Sequence, residues 1–160
     1  MPTLIGSPIR QYYATPQNIK IGNKTFDGIR SVDTRHYVEN GLEQSVNYLD
    51  TYNNAEHSVY ELNGKVRYVD TRYRQPVTKV IDGKVYNNIM SEMTNYETGM
   101  TRYDNFNKNN LPTVITVNRE GKTVSAEKPA ITNIASKIGN LFKKVFKIAK
   151  LEEKALAMSV

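Results

Sequence analysis

The sequence predicts a mainly β fold, a small sandwich or barrel built from about four hairpins, with an amphipathic helix at the C-terminal end. Three observations carry that expectation. Turn pairs suited to hairpins recur along the chain, runs rich in Val, Ile, Thr and Tyr flank them, and a long, sustained helical spacing begins after Pro129. An α+β arrangement is the alternative, because two inner segments also carry helical spacing.

The clearest hairpin is Ser58–Asp70. Asn63-Gly64 is the pair that best tolerates positive φ at both centres of a type I′ turn. A two-residue loop there sets Leu62 opposite Lys65, Glu61 opposite Val66, Tyr60 opposite Arg67 and Val59 opposite Tyr68. Gly22-Asn23 predicts a type II′ turn between Ile19-Lys20-Ile21 and Lys24-Thr25-Phe26. Asp82-Gly83 predicts a second type I′ turn between Thr78–Ile81 and Lys84–Tyr86. Thr113–Val117 is β-branched throughout and leads through Asn118–Gly121 to Lys122-Thr123-Val124, a hairpin with a longer loop.

Three regions are expected: an extended N-terminal arm over 1–17, a β-rich domain over 18–128, and a basic amphipathic helix over 129–160. The arm carries Pro2, Pro8 and Pro16 with Gly6 and shows no periodicity. Inside the β-rich region, Ile21–Ile29 lines up with Ile81–Ile89, and Asp50–Asn53 with Asp104–Asn107, which suggests a tandem duplication over 19–76 and 78–128. A second echo, Arg30–Arg35 against Arg67–Arg72, runs at a different spacing. Leu42, Val46 and Leu49, and again Ile89, Met93 and Tyr96, sit at helical spacing and predict two short helices. Tyr103–Asn110 is rich in Asn and reads as loop.

In the C-terminal region Pro129 suits a first helical position. Ile131, Ile134, Ile138, Leu141, Val145 and Ile148 follow at steps of three and four, an apolar seam for binding a partner. Such a helix would be about 40 Å long. Lys137, Lys143, Lys144, Lys147 and Lys150 decorate it and form a candidate anion-binding set.

Charge follows the same division. The chain carries a net charge of +6, and most of the surplus falls after residue 125, so the basic character belongs chiefly to the last region. Hydrophobic residues make up 39% of the chain, and the mean hydropathy of −0.57 points to a modest core with peripheral segments. Eleven Tyr and no Trp suit thin sheets and interaction surfaces, since a tyrosine packs its ring while its hydroxyl stays wet.

Catalytic patterns are poor. The absence of cysteine excludes disulfides, thiolate nucleophiles and Cys-based zinc sites. His36 and His57 are too far apart to make a local ligand pair, and neither a nucleophile elbow, a phosphate loop nor a dinucleotide fingerprint occurs. Asp33 with Arg35, and Asp70 with Arg72, share a strand face and read as surface ion pairs. Arg67-Tyr68, Arg72-Tyr73-Arg74 and Arg102-Tyr103 interleave charge with aromatic rings, as single-strand nucleic-acid surfaces do, although the β-rich region is close to charge-balanced.

No catalytic, cofactor-binding or metal residue is assigned, and no cofactor is expected. The pattern predicts a non-enzymatic structural or adaptor protein of a larger assembly, with a phage virion component, capsid or connector, as the specific expectation. Its partners would be other protein subunits or copies of itself, met by the arm and the helix. A module binding nucleic acid or an anionic membrane surface through the helix lysines is the alternative. The expected location is the virion, or otherwise the cytoplasm, because the N-terminal residues lack the pattern of a secretion signal and no apolar run is long enough to span a membrane.

Overall fold

The structure, a computed structural model, describes residues 1–127. They form nine strands: β1 (Thr3–Ile21), β2 (Lys24–Glu39), β3 (Leu42–Thr51), β4 (Ala55–Leu62), β5 (Lys65–Ile81), β6 (Lys84–Asn95), β7 (Thr101–Phe106), β8 (Pro112–Val117) and β9 (Thr123–Glu127). Each strand pairs antiparallel with the next, in chain order, as one open sheet. The mainly β expectation therefore holds. The closed barrel and the two-sheet sandwich do not, because β1 and β9 stand at opposite edges of a single meander. The helix expected over 129–160 lies outside the described residues.

The turns follow their chemistry. Asn63 and Gly64, and Asp82 and Gly83, all have positive φ, as type I′ turns require, while at Gly22-Asn23 only the glycine does. Asn40-Gly41, with φ of 52° and 75°, makes a further tight turn between β2 and β3. That turn corrects the first of the expected short helices: Leu42–Thr51 is β3. On a strand, Leu49 turns inward with Asn47 and Thr51 while Tyr48 faces out, so the helical spacing of Leu42, Val46 and Leu49 was coincidental. Ile89, Met93 and Tyr96 likewise do not form a helix. Ile89 and Met93 belong to β6, which ends at Asn95, whose Oδ1 accepts the backbone N–H groups of Glu97 and Thr98. The expected loop Tyr103–Asn110 shrinks to Asn107–Leu111, since Thr101–Phe106 is β7.

The N-terminal residues expected as an arm run into the first hairpin as one strand, β1. Its pairing with β2 breaks between Ile5 and Ile9 and again between Tyr12 and Gln17, the intervals that hold Pro8 and Pro16. The pairing of β5 with β6 breaks between Arg72 and Val77, around Pro76. Proline has no N–H for the ladder, so each break falls where one rung cannot form.

At the breaks beside Pro16 and Pro76 the hairpins bend over one face of the sheet. The β1–β2 tip crosses β3 and β4 and reaches the β4–β5 turn, where Asn23 Oδ1 accepts the Val66 N–H at 3.1 Å. Beneath it Ile21, Ile29, Leu49, Val59, Val66 and Val69 form one core. The β5–β6 tip reaches the β8–β9 turn in the same way, with Asp82 Oδ2 accepting the Thr123 N–H at 2.9 Å. Beneath it Ile81, Ile89, Ile115 and Val117 form a second core. Fully burying an Ile or Val side chain is worth about 1.5–3 kcal/mol. A single-layer sheet cannot bury such residues unless something covers them, and here its own hairpins do.

The two folded units correspond pair by pair. Tyr12 opposes Ser31 as Arg72 opposes Ser91, Gln17 opposes Ile29 as Val77 opposes Ile89, and Ile19 opposes Phe26 as Lys79 opposes Tyr86. Ser31 then opposes Asp50 as Ser91 opposes Asp104. This correspondence begins at Tyr12 and Arg72, upstream of the sequence-predicted starts at residues 19 and 78. Strand β5 consequently serves twice: its first half closes the first unit and its second half opens the second.

Candidate interaction surface

Strand alternation divides the side chains of the sheet between a core face, covered by the hairpins, and an open face. One row across the open face runs Arg10, Asp33, Tyr48, Ser58, Asp70, Met93 and Arg102, each opposite the next. Its charges are paired within the sheet. Arg10 Nε lies 2.9 Å from one Asp33 oxygen and Arg35 Nε 3.5 Å from the other. Arg72 stands 3.8 Å from Asp70, and Arg102 3.4 Å from Asp104, which also accepts the Ser91 hydroxyl at 2.8 Å. The ion pair with Asp33 holds the Arg35 guanidinium above its ordinary pKa. Exposed pairs of this kind contribute little stability. Their consequence is that the arginines are already engaged.

Rings remain between them. Tyr60 and Tyr68 face each other across β4 and β5 with centroids 6.3 Å apart, edge to face. Tyr48 lies under the Arg35 guanidinium at 5.3 Å. Tyr12, 75% exposed, stands at the β1 edge. Partial burial, more than any neighbouring charge, raises the Tyr60 phenol above its usual range, so this hydroxyl stays neutral at ordinary pH.

The basic–aromatic interleaving does not survive as one platform. Alternation sends Arg72 and Arg102 to the open face but Tyr73 and Tyr103 to the core face, where both pack against the second core. Arg67 occupies a bulge between the pairs Tyr60–Tyr68 and Glu61–Val66 and pairs with Glu97 at 2.5 Å. The bulge also corrects the predicted register: Leu62 opposes Lys65 and Glu61 opposes Val66 as expected, but beyond them Tyr60 meets Tyr68 and Val59 meets Val69. Arg74 is spent on Asp50, Glu56 and the carbonyl oxygen of Asn53.

Several titratable groups lie on the core side. His57 Nδ1 is 2.8 Å from the Thr71 hydroxyl and its ring packs against Phe26; burial lowers its pKa. His36 is exposed and bonds the Ser45 hydroxyl at 2.9 Å. Tyr73 donates to Glu92 at 3.0 Å, and Lys79 Nζ lies 2.6 Å from the other Glu92 oxygen. Burial opposes the charged form of Lys79, but the bonds to Glu92 and Tyr73 outweigh it and raise its pKa. These groups serve one another. Among the described residues no three His, Asp or Glu side chains gather as a metal-ligand set, and no helix is long and apolar enough to cross a membrane.

Where β5 and β6 bend, a cleft of about 730 Å³ opens between Arg72, Pro76, Met90, Asp104, Phe106 and Lys108. Among the described residues the two sheet edges are open as well. Leu4, Ile5, Ile9 and Tyr12 of β1 are exposed, and so is every residue of β9. The partner-binding seam Ile131, Ile134, Ile138, Leu141, Val145 and Ile148, and the anion-binding lysines Lys137, Lys143, Lys144, Lys147 and Lys150, lie outside the described residues. Sequence reasoning missed the edges as surfaces, because only the strand order shows which strands have one neighbour. No family model, curated protein or solved structure matches the chain.

Proposed function

We propose that this chain is a non-enzymatic structural or adaptor protein of a larger assembly, specifically a phage virion component of the capsid or connector kind. It holds neighbouring protein subunits through its N-terminal strand and its C-terminal segment 129–160. The observation that carries this reading is the open sheet. A nine-stranded meander with two unpaired edges among its described residues, and apolar side chains exposed along one of them, offers strand-pairing surfaces to neighbours. The Tyr-bearing open face, whose arginines are already paired, suits protein contacts of the Tyr- and Arg-rich kind better than phosphate.

Two measurements test it. Mass spectrometry of purified phage particles finds the chain as a stoichiometric component; a chain absent from particles sinks the virion reading. Deleting residues 1–12 or 130–160 abolishes incorporation, and unchanged incorporation of both truncations counts against binding through the two ends.

The lysine content of the last region supports a second reading, binding of nucleic acid or an anionic surface. Salt separates the two, since phosphate contacts fade steeply with rising salt and apolar packing does not. Light scattering of the full chain and of a chain lacking residues 130–160, at low and high salt and with added nucleic acid, distinguishes them.

A further inference from the structure

Among the described residues, the two edge strands are the two halves of a joint that the molecule already contains. In β5, Asp70, Thr71 and Arg72 are paired on both sides: with Ser58, His57 and Glu56 of β4, and with Met93, Glu92 and Ser91 of β6. In β9, Ser125, Ala126 and Glu127 repeat the first half, opposing Thr116, Ile115 and Val114 of β8. In β1, Arg10, Gln11 and Tyr12 repeat the second half, opposing Asp33, Val32 and Ser31 of β2. Within the sheet, one strand joins the first unit to the second. At the edges the same position is filled twice, each time on one side only.

We infer that copies of this chain join head to tail by reproducing β5: Arg10, Gln11 and Tyr12 of one copy pair with Thr116, Ile115 and Val114 of the next, in place of Ser125, Ala126 and Glu127. This rests on the assembly reading above and names the neighbour as a second copy. The antiparallel sense and the core face are both preserved, because β1 runs in the same direction as β5 and β9. The exchange costs little at β9, whose five residues are all exposed and whose pairing is already irregular between Thr116 and Val117. Thr123, held by Asp82, stays in place. Tyr12, the most exposed aromatic residue of the sheet, gains a neighbour. Pro8 and Pro16 bracket the adhesive stretch, so the added pairing is short and in one register. The contact joins two different surfaces, so it propagates into a ring or a filament instead of stopping at a dimer.

The absence of cysteine makes the test direct. R10C and T116C chains are purified, mixed and treated with a short bismaleimide. The expected result is a covalent dimer in the mixture and none from either variant alone; Y12C with V114C behaves alike. A mixture of R10C and S125C yields several-fold less. If R10C crosslinks to S125C and not to T116C, β1 adds outside an intact β9 and the exchange is wrong. If neither pair crosslinks and sedimentation finds only monomer at every concentration, the second copy is overturned as partner. Incorporation of that monomer into particles would then leave the broader assembly reading standing.

Discussion

Asn23 holds Val66 across the folded sheet: its side-chain oxygen accepts the Val66 backbone N–H at 3.1 Å, pinning the first hairpin tip over the turn between β4 and β5. Asp82 holds Thr123 in the corresponding way. These contacts fasten each hairpin over its core.

Replacing Asn23 by Ala leaves the Val66 N–H, on a residue only 3% exposed, without its partner. An unsatisfied buried donor costs about 1–3 kcal/mol. Urea denaturation of N23A is expected to show a loss in that range with an unchanged m-value. An unchanged midpoint would show that the tip is held by the apolar contacts alone.

Gly22 and Gly83 separate backbone strain from crowding. Both have positive φ, but a Cβ on Gly22 would lie 2.8 Å from the Gly64 carbonyl oxygen, whereas Gly83 has open space around it. G83A is expected to cost about 1–2 kcal/mol from left-handed backbone strain alone. G22A is expected to cost more, because backbone must also move. Thermal denaturation of both variants compares them, and equal shifts would remove the crowding argument.

The two tips differ in acid. The Thr123 N–H, and then Lys122, hold the Asp82 carboxylate below its ordinary pKa. The folded state therefore binds this proton less readily than the unfolded chain does. The associated stability is present above the unfolded value, near pH 4, and is lost as pH falls through the folded value. D82N is expected to flatten the acid limb of the stability profile, measured by denaturation between pH 2 and pH 5. An unaltered acid limb would refute it.

His57 works in the same direction, higher on the pH scale. Burial lowers its pKa, so below about pH 6.5 the unfolded chain takes up a proton that the folded chain refuses. Stability is whole above that pH and declines as pH drops towards the folded value. H57Q, which can still bond Thr71, is expected to remove this slope below about pH 6.5. NMR titration of the imidazole checks the direction independently.

Lys79 and Glu92 replace what the first unit builds from Ile19 and Val32. E92V alone strands a half-buried ammonium and is expected to cost about 1–3 kcal/mol. Adding K79I restores most of the loss, since an apolar pair occupies the equivalent site in the first unit. A double-mutant cycle by denaturation measures the coupling, and additive losses would show that the pair is only a surface contact.

Much of the fold was legible because tight turns are local. Asn63-Gly64, Asp82-Gly83 and Gly22-Asn23 each specify a hairpin through φ alone. Asn40-Gly41 is a turn pair of the same kind, both residues having positive φ, and it stands against the helical spacing of Leu42, Val46 and Leu49. Three apolar residues at helical spacing are weak evidence beside a turn pair that starts a strand. The bulge at Arg67 was not legible, since nothing in Lys65–Tyr68 marks which residue the ladder will skip.

By itself the sequence determined the β character, the hairpin turns and the likeness of Ile21–Ile29 to Ile81–Ile89, all set within a few residues of chain. Only the tertiary structure decided that the strands stay in one open meander, that the hairpins fold back as their own cover, and that β5 is shared between two units. Those outcomes depend on contacts such as Asn23 with Val66 and Asp82 with Thr123, whose partners lie some forty residues apart. No local pattern encodes which distant turn a hairpin tip will reach. The same limit hid the edges: a strand is an edge only by virtue of the neighbour it lacks.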